Sequence, residues 1–188
     1  TVAGAGSVLR TDVVEDDHLV LDAIKRTLKR PYAGETYATM LPMVRKNVAY
    51  LAQLEALESW YRHARAPFFA AQEFGDLVLD GALAAITSAR RERASRLVKL
   101  AAKLPGANET QQRTSAAMAD VVAVFGQVTA PPETLAAELR SRAEAGTGYL
   151  ASIHALEDKH VATTKTWLQE VVDSAYGTAV EILPDLAD

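Results

Sequence analysis

Apolar residues recur at three- and four-residue spacing almost without interruption from Val13 to Leu183, and no run of period-two alternation is bounded by hairpin turns. That periodicity commits the chain to helices that must bury their stripes on one another, and it predicts an all-α fold. Asp12 caps a leading helix over Val13–Arg30, with Glu15, Asp16 and Asp17 near its positive end and Lys25, Arg26, Lys29 and Arg30 near its negative end. Pro31 stops it. A second helix runs from Glu35 to about Lys46, kinked by Pro42, and a third from Val48 to Ala66, broken by Pro67. A fourth covers Gln72–Ser88 and a fifth Arg90–Leu104, closed by Pro105-Gly106.

The remaining helices carry sharper punctuation. Asn108 with Gln111 or Gln112 opens a sixth, to about Val128. Pro131-Pro132-Glu133 starts a seventh, ended by Gly146 and Gly148; a short eighth carries Tyr149 to Leu156. The ninth runs from Val161 to Leu183, before Pro184. Thr1–Arg10 is small and polar and reads as an extended arm. The expected organisation is an arm over residues 1–11 and one helical domain over 12–188.

After the leading helix the expected elements fall into pairs: Glu35–Ala66, Glu73–Leu104, about Gln112–Ala145 and about Thr147–Leu183. A period of roughly 35–40 residues is that of stacked helical hairpins. Thr36-Tyr37-Ala38-Thr39-Met40-Leu41 resembles the opening of a pentatricopeptide repeat, and Arg91-Glu92-Arg93-Ala94-Ser95-Arg96-Leu97 the start of such a repeat's second helix. The third and fourth pairs lack the aromatic opening. In size and arrangement the chain is also similar to the accessory F1 subunits of euglenozoan mitochondrial ATP synthases. That resemblance implies a non-catalytic subunit in mitochondria, packed on the outside of an F1 alpha subunit and bound to other protein subunits of the complex.

Composition enters where chemistry is asked about. The chain has no Cys, which removes thiolate metal sites, Fe–S clusters and cysteine nucleophiles together. Its 20 Lys+Arg against 24 Asp+Glu leave a net charge of −4, against a general nucleic-acid binder. Aromatics at 6% leave few platforms for stacking bases. Read as an organellar RNA-binding array, Thr39 and Asp76 would be the base selectors, and four repeats would read too few bases. The longest uncharged stretch, Val121–Pro132, is too short to span a bilayer, which takes roughly 20 residues. Gly4-Ala5-Gly6 lacks the rest of a phosphate loop.

Glu15…His18 and Glu157…His160 have the Glu-x-x-His spacing of di-iron bundles, with Glu55, Glu58 and Glu138 available as further ligands. Their order along the chain and their charged neighbours speak against a shared site. His63 reads as a surface imidazole and His154 as a partly buried one. No catalytic residue, cofactor or metal is expected. The strongest charged feature is the fifth helix, where Arg90, Arg93, Arg96, Lys99 and Lys103 form a stripe opposite Ala94, Leu97, Val98 and Ala101. This stripe is the candidate partner-binding surface, for an acidic protein. The expected function is a structural or adaptor subunit of a larger assembly.

Overall fold

A computed structural model of the chain describes residues 2–4, 17–23, 26–31 and 40–187. The fold is mostly helical and all-α in class, with a small sheet near its start. The chain divides into two compact units, Thr1–Ala38 and Thr39–Asp188.

The first unit corrects the leading helix. Strand β1 (Val2–Ala3) pairs in parallel with β2 (His18–Ala23), which pairs antiparallel with β3 (Arg26–Pro31). The register sets His18 opposite Pro31 and Ala23 opposite Arg26. Val2 and Ala3 were expected in an unpaired arm; instead they pair with Leu19 and Val20, and Gly4 N–H donates to Val20 O at 2.9 Å. The apolar run Leu19-Val20-Leu21 is as good a strand as a helix turn, and a run that short carries no period of its own. Asp12, Glu15 and Asp16, expected at the helix start, lie outside the described residues.

The second unit opens with α1 (Leu41–Trp60), which continues through a π turn (Tyr61–Arg65) into α2 (Ala66–Ala70). Pro42 sits in the first turn of α1, where its missing N–H costs nothing, and it makes no kink. Pro67 does not stop the chain either. It lacks the N–H that the ladder needs, and the turn before it widens so that Ala66 N–H reaches Tyr61 O. Next come α3 (Gly75–Ala101), α4 (Glu109–Ala123), α5 (Glu133–Glu144), α6 (Tyr149–His154) and α7 (Asp158–Ile182), then a 3-10 turn (Pro184–Leu186).

The first two expected hairpins are therefore single helices. Asn47, where the first pair was to bend, keeps to the helix, its Nδ2 donating to Met43 O at 2.7 Å. Nothing in Ile86-Thr87-Ser88-Ala89-Arg90 breaks α3. The sharp bend lies earlier, at Phe74, which has φ 58°. Gly75 is required beside it, because a Cβ there would meet Phe69 O at 1.7 Å.

Helices α1, α3, α4 and α7 pack in a closed ring, α1 on α3 and α7, α4 on α3 and α7. Neighbours run antiparallel: Arg90 meets Glu58 and Arg93 meets Asn47, while Trp60 meets Trp167 and Arg45 meets Asp185. A closed bundle, not a one-way stack of hairpins, buries the faces. One core joins Val44, Val48 and Leu51 of α1 to Leu97, Met118 and Ala179, and a second joins Phe68, Leu135, Leu139, Trp167 and Val171. Each fully buried aliphatic side chain contributes roughly 1.5–3 kcal/mol.

Candidate functional site

The buried stripe of α1 changes chemistry halfway along. It runs Val44, Val48, Leu51, then Glu55, Glu58 and Ser59, all buried. A carboxylate inside a bundle needs partners, and each of these has them. Glu58 takes a 2.6 Å bond from Arg90 of α3 and a 2.9 Å bond from Arg62. Glu55 accepts from the N–H of Gly126 at 2.8 Å, and Ser59 Oγ accepts from Thr129 N–H at 3.1 Å. Gly126, at φ 126°, has no Cβ to press on the Arg90 guanidinium 3.4 Å away.

The two acids titrate in opposite directions. Burial lifts the Glu55 carboxyl above its ordinary value, and the Gly126 bond only partly offsets it. Burial also lifts Glu58, but the bonds and charges of Arg90 and Arg62 outweigh it, and its carboxyl sits below its ordinary value. The network fastens α1, α3 and the α4–α5 connection together. It was not legible in the sequence, where Glu55 and Glu58 stand only as available ligands for a di-iron site and Arg90 as part of an outward stripe.

The expected basic stripe is split by the true phase of α3. The inward line is Leu83, Ile86, Arg90, Arg93, Leu97 and Ala101, while Val98, expected inside, is exposed. Arg90 and Arg93 thus belong to the α1 contact. Arg93 donates to Asn47 Oδ1 at 2.9 Å and lies 5.1 Å from the Tyr50 ring centre. Arg96, Lys99 and Lys103 remain exposed, with Arg96 paired to Glu92.

The Glu-x-x-His pairs have other uses. Glu15 lies outside the described residues, and His18 starts β2. Glu157 precedes α7 and pairs with Lys159 at 2.8 Å; His160 Nδ1 has no hydrogen-bond partner among the described residues. Glu138 pairs with Arg142 at 2.7 Å. Among the described residues no three His, Asp or Glu side chains gather as a metal site. His154 is exposed, contrary to the expectation of partial burial. His63 is half-buried, and burial, with the Arg62 charge, lowers its imidazole below its ordinary value. Thr39 lies outside the described residues, and Asp76 is exposed in the first turn of α3.

Rings gather around the π turn. Trp60 Nε1 donates to Tyr149 Oη at 3.1 Å, and Phe68 meets the Tyr149 ring edge-on, centres 5.5 Å apart. The Arg65 guanidinium lies 4.8 Å from the Tyr61 and Phe69 rings and 4.6 Å from Tyr149. Beside this cluster, a groove of about 740 Å³ runs between α1 and α7. Ala56, Leu57, Trp60, Leu168 and Val172 line its floor; Gln53, Thr164, Lys165 and Gln169 complete the lining. Leu57 is 41% exposed, an apolar side chain that the chain's own fold leaves uncovered. Two antiparallel helices form its walls, and among the described residues that line it Lys165 is the one charged side chain.

No protein-family model, curated protein or solved structure matches this chain. Among the described residues no helix is long and apolar enough to cross a membrane.

Proposed function

We propose that this chain is a non-catalytic docking subunit, and that the groove between α1 and α7 receives an amphipathic helix of another protein. The observation that carries this is the uncovered apolar floor at Leu57, Trp60 and Leu168 between polar and cationic flanks. That is the chemistry of helix-in-groove recognition: apolar anchors at i, i+3, i+4 and i+7 go down, and an acid beside them meets Lys165. The core acids are no competitor for this role, since Glu55 and Glu58 are spent on Gly126, Arg90 and Arg62. The F1 alpha subunit of a mitochondrial ATP synthase is the narrower form of the same proposal. The resemblance behind it drew on size and paired hairpins, and the bundle retains the size.

The test is recovery of a native partner with wild-type and Leu57→Glu chains, next to Lys103→Glu as a control with a larger charge change outside the groove lining. Photo-crosslinking from position 57 then maps the contact. A stoichiometric partner that is lost with Leu57→Glu, kept with Lys103→Glu and crosslinked from position 57 through one helix supports the groove. A partner held equally by all three chains overturns it.

A further inference from the structure

Helix α3 has 27 residues, about 40 Å, and one face of it is exposed among the described residues. The ends of that face differ. At its start Phe74, Leu77 and Val78 are 68%, 69% and 54% exposed, far more than a protein leaves in one cluster without use. Acids stand among them, with Glu73, Asp76 and Asp80 exposed. Beyond Ala89 the exposed charged side chains are Arg91, Glu92, Arg96, Lys99 and Lys103, and the one acid among them is held by Arg96. An acidic, apolar half thus continues into a basic half on one straight rod.

Such a face is complementary to itself turned end for end. We propose that α3 pairs antiparallel with α3 of a second copy of this chain, about a two-fold axis beside Ile86. Helix phase makes the pairing specific, because a two-fold of this kind brings each flank of the face onto the same flank of its mate. At 100° per residue Asp80 and Arg91 fall on one flank. Phe74, Val78, Arg96 and Lys99 fall on the other. An axis beside Ile86 therefore sets Asp80 against Arg91 of the second copy, twice. It also lays Phe74 and Val78 against the alkyl stems and charges of Lys99 and Arg96, where a cation over a ring is favourable. Leu77 and Ser95 meet on the midline. Gly81, Ala84 and Ala85 between them carry nothing long enough to hold the backbones apart.

The contact is isologous, so it closes at two copies. A lone polyanion on the basic half would leave Phe74, Leu77 and Val78 bare; the second copy covers both halves at once. This face is separate from the groove, and the pairing stands whether or not the groove binds a partner.

The test is a charge swap on the full chain, read by sedimentation equilibrium, with circular dichroism to show that each variant folds. Wild type dimerises. Asp80→Arg and Arg91→Asp each weaken the dimer about tenfold or more, since each places like charges opposite one another at two sites. Mixed one to one, the two variants form a heterodimer, because every facing pair is then again opposite in sign. The rescue by mixing is a result that misfolding cannot imitate. A wild-type chain that stays monomeric up to about 0.5 mM overturns the proposal. So does a dimer that ignores both substitutions, or a mixture that forms no heterodimer.

Discussion

The first and second halves of α1 solve the same problem with different chemistry. Val44, Val48 and Leu51 hold their end of the bundle by removing apolar surface from water. Glu55, Glu58 and Ser59 stand on the same stripe, equally buried, and hold their end by directed bonds to Arg90, Gly126 and Thr129. The apolar half tolerates any neighbour of the right volume. The polar half accepts only the partner whose donors point at it, and so it dictates where α3 and the α4–α5 connection sit. The π turn, the ring cluster around Arg65 and the groove beside Trp60 all lie toward the polar half.

The sharpest way to break this contrast is to remove one charge of the polar half. Glu58→Ala leaves the Arg90 guanidinium, little exposed, without its counter-charge, and is expected to cost about 3–5 kcal/mol in denaturant unfolding. Replacing both Glu58 and Arg90 with Met should recover most of that loss, because the cost lies in the orphaned charge. A double variant as unstable as Glu58→Ala would show that the network holds more than a pair.

In the apolar half Leu51→Ala is expected to cost about 2–5 kcal/mol through lost burial and the cavity left behind. No partner substitution rescues it short of refilling the volume. A loss under 1 kcal/mol would mean that this end collapses around the gap and is less tightly packed than Leu51, fully buried, implies.

Acid titration separates the two glutamates. Glu58 has a folded pKa below its unfolded value of 4.5, so its contribution is present above that value and disappears as pH falls through the folded one. Glu55 has a folded pKa above 4.5, so its contribution is greatest below 4.5 and disappears as pH rises through the folded value. On acidification the stability of wild type should therefore fall relative to Glu58→Gln and rise relative to Glu55→Gln, as read from unfolding midpoints against pH. Parallel curves would show that the two acids share one environment.

The smallest effect is expected on the outer face of α3. Arg96→Glu breaks only an exposed pair with Glu92 and should change monomer stability by about 0–1 kcal/mol. A larger loss would put Arg96 inside, beside Arg90 and Arg93.

Legibility follows the range of the interaction concerned. The second half of the chain was readable because its signals act within one turn. Asn108 Oδ1 accepts from Gln111 N–H while Gln111 Oε1 accepts from Ala107 N–H, the reciprocal cap expected there. Gly146 takes φ 73° just past α5, and Pro184 follows α7. Of the expected stripe, Arg96, Lys99 and Lys103 are exposed as the sequence led one to expect, whereas Arg90 and Arg93 are not. The groove joins residues of α1 and α7 more than 100 positions apart, and no local signal marks it.

By itself, then, the amino-acid sequence determined the helical class, the start of α4, both ends of α5 and the end of α7, since capping side chains, prolines and glycines act on backbone groups a few residues away; α4 stops at Ala123 short of the expected Val128, and α7 starts at Asp158 ahead of the expected Val161. Tertiary structure decided the rest. It made strands of His18–Ala23 and Arg26–Pro31, where a short apolar run suits either element until a neighbour supplies the hydrogen bonds. It made Gly75–Ala101 one helix, because α1 and α4 offer a continuous wall along it. And it turned Arg90 inward, since an arginine can face a core only where a carboxylate such as Glu58, 32 residues earlier, already waits there.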